Sequence, residues 1–322
     1  MPRDVGIDKE RAARAAFSGG GDHCDALEGE TVSTREPELG FIGLGNLGAS
    51  MALTLIRAGR RVLAYDTEPE RAHELERLGA SRASSLAAFS RCETTFLAVP
   101  DDAAVESVVS QLLGALTQPS VIVIHSTVLP ATPRRLHARC AAHGHDLLDA
   151  PVSGGAERAR KGELAMMVGG RAETLASICP HLELLASEIW HMGGPGAGAA
   201  AKLANQLMMF AALAGAQEAK ELTDAFGVDW EKVRSMAKAS TSASWVAEHW
   251  GFFESLASEY DTYGTPLQLR PWSKDLFDVL VVARECELVL PVAALLSQLT
   301  AGRVELAAQA WRAERCAEGV RV

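Results

Sequence analysis

The folding options of this chain are narrowed most by Phe41-Ile42-Gly43-Leu44-Gly45-Asn46-Leu47-Gly48, a G-x-G-x-x-G pattern between two differently patterned stretches. Leu39–Leu44 is a short apolar run, and Leu47–Ala58 has helical periodicity that stops at Gly59. A strand that turns this tightly into a helix needs its first glycine for the turn and its second for backbone approach to an anion. The third lets helix pack on strand, and the free N–H groups of the helix amino terminus face the ligand. Glycine turns are common, so the motif gains its weight from the residues carboxyl-terminal to it.

Those residues alternate between two patterns. Arg61–Tyr65 reads as a second strand and Glu68–Leu78 as a second helix. Thr94–Val99, Val121–His125, Asp146–Leu148 and Met166–Val168 read as further strands with helical stretches between them. Such alternation builds a largely parallel sheet covered by helices on both faces. After about Gly193 the turn signals thin out. Gly196–Ala225, Trp230–Ala239, Ala243–Ala257, Trp272–Glu287 and Val292–Ala313 read as consecutive helices. The expected architecture is an α/β Rossmann-type domain over residues 38–194, then an all-α domain over 195–322. Residues 1–37 read as a disordered extension, with little apolar periodicity and a Gly19-Gly20-Gly21 run.

Composition narrows the function classes. A net charge of −10 gives no general attraction to a phosphate backbone, so no nucleic-acid partner is expected. None of the six cysteines forms a C-x-x-C pair, so reduced thiols and no metal site are expected. The amino-terminal residues carry many acids and no apolar run, unlike a targeting peptide, which makes the cytoplasm the default. No membrane association is expected.

Three further features carry chemistry. Asp66 lies 23 residues after Gly43, at the end of the second strand, where a carboxylate accepts hydrogen bonds from the adenosine ribose hydroxyls of a dinucleotide. It would repel the extra phosphate of NADP and so favours NAD; nearby Arg71 softens that preference. Ser153-Gly154-Gly155, within Asp149–Gly155, offers a hydroxyl and exposed backbone N–H groups suited to a carboxylate, or is a plain turn. Between Met192 and Gln217 the only charged or amide side chains are Lys202, Asn205 and Gln206, at i, i+3 and i+4 on one side of an apolar helix. Such a face belongs in a cleft between domains; a lysine snorkelling to solvent is the bland alternative.

Taken in order, the Gly43–Gly48 turn, the Asp149–Gly155 loop, the Gly196–Gln206 helix and Lys274-Asp275-Leu276 resemble the β-hydroxyacid dehydrogenase family, whose members include 3-hydroxyisobutyrate dehydrogenase and tartronate semialdehyde reductase. The resemblance covers about residues 39–300. It implies a carboxyl-terminal domain of the 6-phosphogluconate dehydrogenase type and reversible NAD(P)-dependent oxidation of a small hydroxyacid to its semialdehyde or keto acid. Lys202 then matches the catalytic acid/base. Ser153, Gly154, Gly155, Asn205 and Lys274 match substrate-binding positions. Gly43, Leu44, Gly45, Asn46, Leu47, Gly48, Asp66, Val99, Pro100, Thr127 and Lys274 match cofactor-binding ones. Homodimers, or dimers of dimers, through the helical domain are also implied.

The chain departs from the family pattern in three places. Asn205-Gln206 stands where Asn-Asn is common, and Gln309–Val322 replaces the usual carboxyl-terminal stretch. Trp245, Trp250, Tyr263, Arg270 and Trp272 fall where substrate is selected, with Arg270 a candidate for a second acidic group or simply an exposed arginine. The rival readings are an imine reductase or a catalytically inactive binding module on the same fold. Lys202 argues against both.

Overall fold

The structure is a computed structural model that describes residues 39–317; the extension expected over residues 1–37 lies outside them. Among the described residues nine strands form one sheet: β1 (Leu39–Ile42), β2 (Val62–Tyr65), β3 (Ser81–Arg82), β4 (Thr94–Leu97), β5 (Val121–Ile124), β6 (Asp146–Asp149), β7 (Val152–Ser153), β8 (Leu164–Gly169) and β9 (Ala186–Gly193). The order is β3-β2-β1-β4-β5-β6-β8-β7, with β9 also paired to β8. The first six run parallel, whereas β8 is antiparallel to β6 and β7. This is the doubly wound order, and its switch point falls between β1 and β4, where ligands bind beyond the strand ends. Phe41 sits level with Ala64 on one side and Phe96 on the other.

Continuous apolar runs such as Val121-Ile122-Val123-Ile124 form these strands because both sheet faces are covered. Alternate residues feed two cores: Phe41, Phe96, Val123 and Leu148 one, Ile42, Leu97, Ile122, Ile124 and Leu147 the other. The covering helices are α1 (Asn46–Arg57), α2 (Pro69–Glu76), α3 (Asp102–Ala115), α4 (Ala131–Ala142), α5 (Gly155–Lys161) and α6 (Ala172–Leu182).

The helical part comprises α7 (Ala197–Asp224), α8 (Trp230–Lys238), α9 (Trp245–Glu248), α10 (Phe252–Thr262), α11 (Pro271–Glu285) and α12 (Pro291–Ala317). At 28 residues, α7 is about 42 Å long. Its Ala199 packs in a sheet core, and its Phe210 and Leu213 pack with Phe253, Trp272 and Leu276 of the helical core. No helix of the described residues is long and apolar enough to cross a membrane.

Two local expectations need correction. Ala243–Ala257 is not one helix: Gly251, at φ +92°, breaks it into α9 and α10. The edge strand β9 is absent from the sequence reading, because Trp190, His191 and Met192 are all exposed and leave no one-sided apolar alternation.

Candidate active site

The glycine turn leaves β1 at the switch point. A Cβ at Gly48 would lie 2.0 Å from the Gly43 carbonyl oxygen, and one at Gly43, at φ +89°, would lie 2.3 Å from the Ala98 carbonyl. The close packing of helix on strand therefore requires both glycines. At Gly45 a Cβ would meet nothing within 4 Å, so the space over the turn is open. Gly45 provides no side-chain cap to α1, and the first turn of α1 carries no acid. Open space above uncapped N–H groups fits the diphosphate of a dinucleotide.

Asp66, at the end of β2, accepts hydrogen bonds from the Leu44 N–H at 2.6 Å and the Glu68 N–H at 2.8 Å, which aims its carboxylate across the turn. Arg71 lies 3.8 Å from Asp66 and 2.9 Å from Glu68, so two carboxylates already engage it. At the ends of β4 and β5, Ser126 locks two loops together: its Oγ donates to the Val99 carbonyl at 2.7 Å and accepts from the Val99 N–H at 2.9 Å. Val99, Pro100 and Thr127 thus lie on adjoining loops beside the switch point.

Lys202 sits one turn into α7. Asp149, fully buried at the end of β6, caps the start of that helix by accepting from the N–H groups of Gly196 and Ala199, both at 2.8 Å. A Cβ at Gly198 would lie 2.4 Å from the Met167 carbonyl oxygen, so α7 touches the sheet backbone there. These two contacts fix where Lys202 emerges. Sequence reasoning misses Asp149 as a positioning residue, although a carboxylate closing an apolar strand is a visible signal.

The ammonium of Lys202 donates to Gln206 Oε1 at 2.9 Å, and Gln206 Nε2 donates to Asp275 Oδ2 at 2.7 Å. Lys274 lies 3.6 Å from Asp275 and donates to Asp278 and to the Thr127 carbonyl, each at 2.6 Å. One chain of hydrogen bonds and a single ion pair, Lys274 to Asp275, thus runs from α7 through α11 to the β5 loop. Gln206 holds Lys202, and Asn205 donates to the same Gln206 oxygen at 3.2 Å. Burial pushes Lys202 down to about 8; Asp275 opposes that fall and the like charge of Lys274 adds to it. Burial alone would lower Lys274 too, but the carboxylates of Asp275 and Asp278 outweigh it and hold that ammonium above its usual range.

Ser153 lies at the end of β7, with Gly154 at φ +130° and Gly155 at φ +67° after it. Among the described residues Ser153 shares no hydrogen bond with Lys202; its loop meets the helical part at Phe252, whose ring lies 3.8 Å from where a Gly155 Cβ would be. Arg270 is neither exposed nor free for substrate: it is buried and paired with Asp261 and Glu305. Trp272 is fully buried with its indole N–H on Glu305, and Trp250 packs edge-on against Trp230. Trp245 stacks on His249 and meets Phe252 edge-on.

Residues 38–194 match the family profile described as the NAD binding domain of 6-phosphogluconate dehydrogenase, and residues 196–313 match that of NADP-dependent 3-hydroxyisobutyrate dehydrogenase. The chain belongs to the β-hydroxyacid dehydrogenase family. It is 34% identical over 269 residues to 3-hydroxyisobutyrate dehydrogenase of Pseudomonas aeruginosa, covering 81% of this chain and 90% of that one. It is 36% identical over 267 residues to L-threonate dehydrogenase of Cupriavidus necator, covering 81% and 88%. The solved structure of Mycobacterium tuberculosis 3-hydroxyisobutyrate dehydrogenase with L-serine superposes with a TM-score of 0.73 at 27% identity, covering 84% of this chain and 94% of that one. The fold and the nicotinamide cofactor class follow from this membership.

Proposed function

We propose that this protein reversibly oxidises a small β-hydroxyacid to its semialdehyde or keto acid, with Lys202 as general acid and base. The observation that carries this reading is the buried Lys202 ammonium, lowered to about 8 and held by Gln206. When bound, the nicotinamide supplies the hydride acceptor or donor. Oxidation also requires the alcohol O–H proton to leave, and the neutral amine of Lys202 takes it; in reduction the ammonium returns it to the carbonyl oxygen. An amine lowered to about 8 changes protonation state near neutral pH, whereas an exposed lysine would stay charged. The oxygen of Gln206 keeps the amine oriented in both states, because Asp275 holds the opposite end of the amide. Ser153, Gly154 and Gly155 would receive the substrate carboxylate, Asn205 and Lys274 would flank the substrate, and Lys274 would also tie the Thr127 loop beside the cofactor. Asp66 favours NAD over NADP because Arg71 is already held by Glu68 and Asp66.

In this reading residues 38–194 bind the cofactor and residues 195–322 supply the acid/base and the subunit contact. Val292, Leu295, Leu299 and Leu306 are exposed at helical spacing along α12, with Phe277 exposed on α11. An apolar stripe of this kind fits a homodimer interface, or a dimer of dimers. The test is nicotinamide absorbance with purified protein, NAD or NADP, and a panel of short hydroxyacids and cyclic amines. Turnover of the hydroxyacids supports the reading. Turnover of the amines alone would indicate an imine reductase, and cofactor binding without any turnover a binding module.

A further inference from the structure

Helix α10 reaches the dinucleotide-binding part at two points. Near its start Phe252 lies against Gly155 of the Ser153–Gly155 loop. Two turns later Glu259 Oε2 accepts a hydrogen bond from Asn46 Nδ2, in the first turn of α1. Positions i and i+7 share one face of a helix and are about 10 Å apart along it. The same face of α10 therefore spans from the loop proposed for the substrate carboxylate to the glycine turn. Asn46 is the N1 residue of α1, so Glu259 brings a negative charge beside the uncapped N–H groups that fit a diphosphate. A carboxylate there occupies the favourable end of the helix dipole. A diphosphate at the same N–H groups would face that carboxylate at close range, where like charges repel.

We infer that Glu259 and Asn46 form a latch that holds α10 across the cofactor turn in the free protein and that the dinucleotide diphosphate displaces. Cofactor entry thereby releases one end of the helix that flanks the Ser153–Gly155 loop, so the cofactor would arrive before the hydroxyacid is enclosed. The latch opposes cofactor binding by its charge, and the neutral isostere Glu259→Gln removes that opposition without removing bulk. The inference rests on reading Gly43–Gly48 as the diphosphate cradle, and a separate variant checks that reading. Gly45→Val adds a side chain into open space, at a residue with φ −65° that a β-branched residue tolerates, and so fills the cradle.

The test is titration of the full-length protein with NADH, followed by tryptophan fluorescence, at low and at high salt. Glu259→Gln is expected to tighten the dissociation constant about three- to tenfold at low salt, with the gain shrinking at high salt as the repulsion is screened. Glu259→Ala, which also deletes the hydrogen bond, should tighten binding at least as much. Unchanged or weakened binding in both Glu259 variants, with Gly45→Val abolishing binding, would overturn the latch and leave the cradle standing. Unchanged binding in Gly45→Val would overturn the cradle reading and the latch with it.

Discussion

Gln206 Oε1 accepts a hydrogen bond from Lys202 Nζ at 2.9 Å because its other end is committed to Asp275 at 2.7 Å. An amide has one acceptor end and one donor end, so the carboxylate of Asp275 decides that Lys202 meets an oxygen. The acid/base reading is therefore open to test at Lys202 and Asp275.

Replacing Lys202 with alanine should lower kcat by about 10²–10⁴-fold, the range for loss of a positioned acid/base group. Cofactor affinity, measured by fluorescence titration, should stay within about twofold of wild type, since the role proposed for Lys202 is proton transfer. A variant that keeps more than about a tenth of the wild-type rate would sink the assignment.

In the oxidation direction kcat/KM should rise with pH and level off above about 8, as Lys202 gives up its proton. The carboxylate of Asp275 holds the ammonium up, so Asp275→Asn should move that inflection to lower pH. The asparagine can present its oxygen to Gln206 Nε2 and keep the amide oriented. An inflection that stayed put or moved alkaline would contradict the coupling of Asp275 to Lys202.

Stability should fall on mild acidification through His125. This ring is buried, its Nδ1 pairs with the Ala150 carbonyl at 2.7 Å, and burial lowers it to about 4. Between about 6.5 and 4 the unfolded chain binds a proton at this histidine and the folded chain does not. Folding free energy contributed here is thus intact above pH 6.5 and lost as pH falls towards 4, up to about 3 kcal/mol. Urea unfolding at a series of pH values measures the slope, and His125→Asn should flatten it over that window.

Gly198→Ala should destabilise the protein and slow catalysis together. The added Cβ would lie 2.4 Å from the Met167 carbonyl and 2.6 Å from that of Asp149, both backbone atoms, so α7 must lift from the sheet and carry Lys202 with it. We expect a loss of about 1–3 kcal/mol in thermal or urea unfolding, typical of overpacking a tight contact. A variant with wild-type kcat would mean that Lys202 does not depend on this contact for its position.

Much of this site is legible in the chain because its signals are local. Gly43, Gly45 and Gly48 state a strand-to-helix turn within eight residues, and Asp66 comes at the distance one helix and one strand require. Lys202 stands out as the lone cation of the apolar stretch between Met192 and Gln217. The partners of these groups are less legible. Arg270 reads as a candidate for a second acidic group, yet Asp261 and Glu305, on two other helices, consume its charge. Gln206 reads as a departure from the family's Asn-Asn, yet its amide holds Lys202. The single helix expected over Ala243–Ala257 divides at Gly251, and the separate α10 that results is what carries Glu259 to the cofactor turn.

The alternating sheet, the glycine turn and a lysine on the inner side of a long helix are each set by neighbours along the chain, and so the amino-acid order suffices for them. Which amide meets that lysine, and what proton affinity it has, depends on packing between distant segments. Successive helix residues point about 100° apart, so Asn205 and Gln206 face different surroundings, and the docking of α11 against α7 places Asp275 beside Gln206. Burial between those helices, rather than any property of Lys202 itself, brings its amine down to about 8.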